Sequence, residues 1–326
     1  MARVTTGWRR QPATGIVRNA RTAIGRRRRL LACALAVVLV GACRQPSPTA
    51  HPADDPPSEG RDVSLAGGFV TVHLEIPPLP AGPKPVILAP VGDAKSLLEA
   101  GAITAMFQVH WDQLAPLAPK TSTEPPKNTV GEWLLASPTA GSVGHAYFSL
   151  LTVDANQTIP SVIDYLVTMP EVDADRIAIA GASTTGFRAL QAIARDRRIK
   201  VGVVFSAAGD YHCFLHLSRL AMKGEPLALD PDYEAWLRTE EPIRHPERLT
   251  HAALLMVNGT EDLAVPYPCA QRTEQVFRRA YRRAHAEDRY RPVTLDGAGH
   301  TLDDRAQQEA MAWLNRWLFT SGTGRP

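Results

Sequence analysis

At 326 residues, with 44% hydrophobic and 21% charged residues, the chain is long enough and apolar enough to bury a core, which excludes a wholly disordered or fibrous protein. Its formal charge of +3 is unevenly placed: the first 42 residues hold nine arginines and no acid, so the remainder carries about −6. An acidic remainder excludes an electrostatic footprint for nucleic acid.

The chain opens with a cationic block, Arg26 to Arg29, followed by an apolar run of 13 residues from Leu30 to Ala42. That is the layout of a secretory signal over residues 1–42, and the run is short of the roughly 20 residues a membrane-spanning helix needs. Val40-Gly41-Ala42-Cys43 resembles a bacterial lipobox, which implies a diacylglyceryl group on Cys43 and an exported protein held at the cell-envelope membrane through lipid alone. Plain secretion is the alternative. The arginine pairs before Leu30-Leu31 also resemble a twin-arginine export signal. Residues 43–62, rich in Pro, Ser and Asp, read as a tether, and the folded domain is expected over 63–326.

Strand-length apolar runs follow at Val70–Ile76, Pro85–Val91, Ile103–Val109, Arg176–Ala180, Val201–Ser206, Ala252–Val257 and Pro292–Leu295. Helical spacing occupies Ser161–Met169, Gly186–Arg195, Cys269–Ala284 and Asp303–Phe319. Alternation of this kind predicts an α/β fold: a mostly parallel central sheet with helices on both faces and active residues beyond the strands' carboxyl ends. Two stretches break the alternation, 111–150 and 210–250, and both are expected over the active-site end, the second as a small lid. Cys213 and Cys269 fall in segments at that same end, where either a disulfide or two free thiols is open.

Arg176–Ala180 leads through Gly181-Ala182-Ser183-Thr184-Thr185-Gly186 into a helical segment, the strand-turn-helix setting of a nucleophile elbow. A sharp turn there lifts the Ser183 hydroxyl clear of the sheet and sets it at a helix N-terminus, whose amides can receive a developing negative charge. Alone, such a serine could equally be a helix N-cap. Two later strands end in Asn258-Gly259-Thr260-Glu261-Asp262 and in Asp296-Gly297-Ala298-Gly299-His300, giving the chain order Ser, acid, His.

The G-x-S-x-x-G turn, the Gly-Thr-Glu-Asp-x-x-Val-Pro loop and the Gly-x-Gly-His segment resemble those of α/β-hydrolases, in particular the dienelactone-hydrolase-like and prolyl-oligopeptidase-like branches, from about Pro85 to the C-terminus. The resemblance implies a triad of Ser183, His300 and Asp262 working through an acyl-enzyme, without cofactor or metal. It places the oxyanion between the amide of Thr184 and a second amide within Val91-Gly92-Asp93, with Gly92 taken as the donor. The chain departs from the pattern at Thr185, where glycine is usual, and at Val109-His110-Trp111-Asp112.

Other residues carry plainer readings. Glu261 is the neighbouring alternative to Asp262, Thr301-Leu302-Asp303-Asp304 is a helix N-cap, and His110, Asp112 and Tyr211–His216 line a pocket without metal-ligand spacing. The expected activity is hydrolysis of small carboxylic esters outside the cytoplasm, with no obligate protein partner. A peptidase or amidase is the alternative enzyme, disfavoured because no β-propeller sequence precedes the catalytic part. A non-catalytic binding lipoprotein is the alternative from another class.

Overall fold

A computed structural model describes residues 58–320 apart from 69, 79–80, 90–93, 110–150, 153, 219–230 and 301. The leader, Cys43, most of the tether, Gly92, His110, Asp112 and the 111–150 excursion lie outside the described residues. The elements are β1 (Glu59–Leu65), β2 (Val70–Ile76), β3 (Lys84–Leu88), α1 (Ala94–Glu99), β4 (Ile103–Val109), α2 (Ile159–Leu166), β5 (Val172–Ala182), α3 (Thr184–Arg195), β6 (Ile199–Phe205), α4 (Tyr211–Leu217), α5 (Pro231–Glu240), β7 (Ala253–Gly259), α6 (Tyr267–Arg283), β8 (Tyr290–Leu295) and α7 (Asp304–Leu314).

The strands form one sheet in the order β1-β2-β4-β3-β5-β6-β7-β8. β2 runs antiparallel to both its neighbours, and every other pair is parallel. Period-two alternation divides the interior between the two faces of this sheet. Ile177 and Ile179 of β5 point to one side, where Val162 and Leu166 of α2, Leu190 of α3 and Phe277 of α6 cover them. Ala178 and Ala180 point to the other, under Leu97 of α1 and Ala310 and Trp313 of α7. Strands covered on both sides need no polar face, and β7 is buried at every position. Among the described residues no helix is long and apolar enough to cross a membrane.

Three expectations change. The tether does not reach residue 62, because β1 begins at Glu59 and pairs with β2 from Glu59↔Ile76 to Leu65↔Val70. This strand is made by backbone pairing and cross-strand polar contacts, such as His73 Nδ1 to Asp62 Oδ1 at 2.7 Å, so it has no apolar run to reveal it.

The 210–250 stretch is not a lid throughout. Tyr211, Leu237 and Leu249 are fully buried, and the Gln191 amide on α3 donates to Tyr211 Oη at 2.7 Å and to the Glu240 carbonyl at 3.0 Å. Its flanks are thus core elements, while 219–230 lies outside the described residues. For the same reason Tyr211–His216 is chiefly core rather than pocket lining: Tyr211 and Phe214 pack edgewise on Phe187, with ring centroids 5.7 and 5.0 Å away.

Cys213 of α4 and Cys269 in the first turn of α6 are joined by a disulfide, their Cα atoms 5.5 Å apart. Beside it, Thr273 Oγ1 accepts from the Gly209 amide at 2.9 Å. Asp303 caps α7, its carboxylate accepting from the Ala306 amide at 3.0 Å.

Candidate active site

Ser183 is the one residue between the end of β5 and the start of α3, and its backbone sits at φ 54°, ψ −120°. A non-glycine residue in such a conformation costs about 1–3 kcal/mol and persists only where its surroundings enforce it. Here the Ser183 amide donates to the Phe205 carbonyl of β6 at 3.0 Å, and the Ser183 carbonyl accepts from the Phe187 amide at 3.0 Å. Gly181 admits the turn, since a Cβ there would stand 2.1 Å from the Thr185 carbonyl oxygen. Ala89 and Ser206, which follow the neighbouring strands β3 and β6, also have positive φ, 47° and 46°. Three adjacent strand ends are therefore strained at one edge of the sheet. Thr184 is the first residue of α3, where backbone amides have no intrahelical acceptor.

Asp262 and His300 come from the same edge. The register runs Ala182↔Phe205, Phe205↔Val257 and Val257↔Val293 across four parallel strands, so the segments bearing Ser183, Asp262 and His300 all leave their strands in one direction. The Asp262 side chain is fully buried. Its Oδ1 accepts from the amides of Ala264 at 2.9 Å and Val265 at 2.8 Å, and its Oδ2 lies 2.8 Å from His300 Nδ1. A carboxylate that accepts on both oxygens requires the proton on Nδ1, which leaves Nε2 as the basic nitrogen of the ring. The imidazole is 16% exposed, open enough to meet a substrate.

The acid and histidine loops are bonded to each other. Thr260 and Glu261 donate backbone hydrogen bonds to the carbonyls of Leu295 at 3.1 Å and Ala298 at 2.8 Å. Thr260 Oγ1 accepts from the Gly297 amide at 2.9 Å and donates to Asp296 Oδ1 at 3.3 Å. The contact is so close that a Cβ on Gly259 would stand 2.2 Å from the Ala298 carbonyl oxygen. Buried Asn258 links this assembly to the turn after β6, its Oδ1 accepting from the Ala207 amide at 3.2 Å. Asn258 and Thr260 hold these loops together through their side chains, and the sequence assigns neither a role, although Thr260 stands in the Gly-Thr-Glu-Asp motif.

The Glu261 side chain is exposed, in contrast to buried Asp262. A cavity of about 310 Å³ is lined by Asp210, His212, Glu241, Ile243, Arg244 and Arg272 and by none of Ser183, Asp262 and His300. Burial there pushes the Glu241 carboxyl up, against the opposing hydrogen bonds from the His212 amide and Arg244. Among the described residues no three His, Cys, Asp or Glu side chains are grouped to hold a metal ion.

A mostly parallel sheet with a serine elbow, an acid loop and a histidine loop on its strand ends is the architecture of the α/β-hydrolases. The chain belongs to the prolyl oligopeptidase family, a serine hydrolase family whose pattern matches residues 152–321. YtaP of Bacillus subtilis (strain 168), described as a hydrolase, is 27% identical over 158 residues, 48% of this chain and 51% of YtaP, so the chain spans about half the length of that curated relative. Among solved structures, TT1662 from Thermus thermophilus superposes with a TM-score of 0.54 at 20% identity, covering 81% of this chain and 99% of its own. The acylaminoacyl peptidase of Pyrococcus horikoshii gives 0.59 at 15% identity, over 83% of this chain and 44% of the peptidase. At these identities the likeness is one of fold.

The two neighbouring acids are separable by substitution. Asp262→Asn, which imposes the wrong imidazole tautomer, is expected to lower kcat on an activated ester by about 10³–10⁴-fold, and exposed Glu261→Gln to change it by less than about twofold. Steady-state kinetics of the two purified variants would reverse the assignment if Glu261→Gln were the inactive one.

Proposed function

We propose that the protein hydrolyses small carboxylic esters through an acyl-enzyme on Ser183. The observation that carries this is the buried Asp262 carboxylate held 2.8 Å from His300 Nδ1 at the sheet edge where the strained Ser183 also emerges. His300 Nε2 takes the hydroxyl proton as Ser183 attacks the acyl carbon and returns it to the leaving alcohol. Asp262 stabilises the imidazolium that forms between these events. Water then repeats the cycle on the acyl-enzyme. The amide of Thr184 and one from the Gly92 loop receive the oxyanion.

Peptide or amide hydrolysis is the second reading, and the family match is what favours it. The same proton path serves both, so the leaving group discriminates. A panel of p-nitrophenyl esters and aminoacyl anilides should show kcat/KM at least about tenfold higher on the esters, a difference of about 1.4 kcal/mol in transition-state stabilisation. Ser183→Ala and His300→Ala should each abolish turnover to a similar extent, because the triad acts as a unit. Anilides as the better substrates would transfer the assignment to the amidase reading, and turnover surviving in both variants would remove the mechanism.

The export reading belongs to the same proposal. The arginine-rich leader, its short apolar run and Cys43 support a lipid-anchored envelope protein, and a disulfide within the domain suits an oxidising compartment. Growth of an expressing bacterium on labelled palmitate should label the full chain and leave Cys43→Ala unlabelled. Equal labelling of both, or of neither, would refute the anchor.

A further inference from the structure

Nucleophile elbows carry glycine at the second residue after the serine, and here that residue is Thr185. Its hydroxyl makes two hydrogen bonds to a single residue: Thr185 Oγ1 accepts from the Ala182 amide at 2.8 Å and donates to the Ala182 carbonyl at 2.9 Å. Ala182 is the last residue of β5, beyond the point where the ladder to β3 stops at Leu88↔Ile179. Among the described residues its amide and carbonyl have no strand partner on that side, and the threonine hydroxyl bonds to both. The two residues enclosed between Ala182 and Thr185 are Ser183 and Thr184.

We propose that Thr185 is a positioning residue, a hydroxyl clamp that holds the nucleophile in its strained conformation and fixes the amide that receives the oxyanion. The inference rests on Ser183 being the nucleophile. Threonine is admissible here because the close approach required of a small residue has moved one place along. A Cβ on Gly186 would stand 2.9 Å from Ala207 Cβ and 3.0 Å from the Phe205 carbonyl oxygen. Gly186 therefore carries the helix-to-sheet contact, and position 185 is released for a side chain that works locally. Without the hydroxyl, the Ala182 amide loses its acceptor, and one of the constraints opposing relaxation of Ser183 from φ 54° is gone.

Thr185→Val keeps the shape and removes both hydrogen bonds, whereas Thr185→Ser keeps the hydroxyl and removes a methyl. On the preferred chromogenic substrate, Thr185→Val is expected to lower kcat by about 10–100-fold with KM within about threefold, because small displacements of reacting groups are costly. Thr185→Ser is expected to restore kcat to within about threefold of the parent. Thermal melts report whether each variant is folded, and Thr185→Ala replaces Thr185→Val in the comparison if the valine variant does not fold. The clamp is overturned if the hydroxyl-free variant turns over within twofold of the parent, if serine and valine fall together, or if the loss only tracks the folded fraction. Ser183→Ala is measured alongside. Full activity in Ser183→Ala would refute the nucleophile, whereas an inactive Ser183→Ala beside a fully active Thr185→Val would refute the clamp alone.

Discussion

The site depends on a buried charge that is answered from every side. Asp262 has no solvent of its own, so the free energy of burying it must be recovered from hydrogen bonds, and two backbone amides and one imidazole supply them. The amides belong to Ala264 and Val265, so the acid loop closes on its own carboxylate independently of the histidine. The remaining oxygen then has a single direction of approach, and His300 occupies it. Orientation of the base follows from satisfying the acid, which is why the contacts joining the loops at Thr260, Glu261, Gly297 and Ala298 bear on chemistry as well as on folding.

A second constraint acts at Ser183, the proposed nucleophile. Positive φ at Ala89, Ser183 and Ser206 stores about 1–3 kcal/mol at each of three neighbouring strand ends, while the stretches that lead into them, Val86–Leu88, Ile177–Gly181 and Val201–Phe205, are buried. The sheet interior can sustain this because both its faces are packed, by α2, α3 and α6 on one side and α1 and α7 on the other. Local strain at the carboxyl edge is thereby matched to a rigid scaffold. Asn258 joins the two halves, since its amide oxygen holds the turn after β6, next to the nucleophile, from the end of the strand that leads to the acid.

Much of this was legible in the sequence wherever burial wrote it there. Strands covered on both faces, such as β3, β6 and β7, are near-continuous apolar runs, and β2 alternates buried Val70, Val72, Leu74 and Ile76 with more exposed residues. Both kinds are legible, and the Ser, acid, His order can be assigned to strand ends. What burial did not write was missed. The only apolar side chains that β1 brings partly under cover are Val63 and Leu65, on one face, and its first half exists through pairing with β2, so Glu59–Asp62 reads as tether. The 210–250 stretch looked like a lid because its prolines and mixed polarity hide Tyr211, Leu237 and Leu249, which pack into the core from short helices. Thr185 read as a departure from a motif, whereas its hydroxyl bonds both to and from Ala182, a contact that depends on the turn geometry and not on residue type alone.

Membership of the prolyl oligopeptidase family and the α/β-hydrolase sheet define the kind of catalyst, and the proposed roles rest on the contact between Asp262 and His300 and on Ser183 leaving its strand at the same edge. The most direct measurement is tandem mass spectrometry of the folded protein after reaction with a fluorophosphonate, which reacts preferentially with a serine activated by its base. The expected result is a single phosphonate adduct on Ser183, lost when His300 is replaced by alanine. A folded protein that takes no adduct, or carries it on another residue, would contradict the assignment.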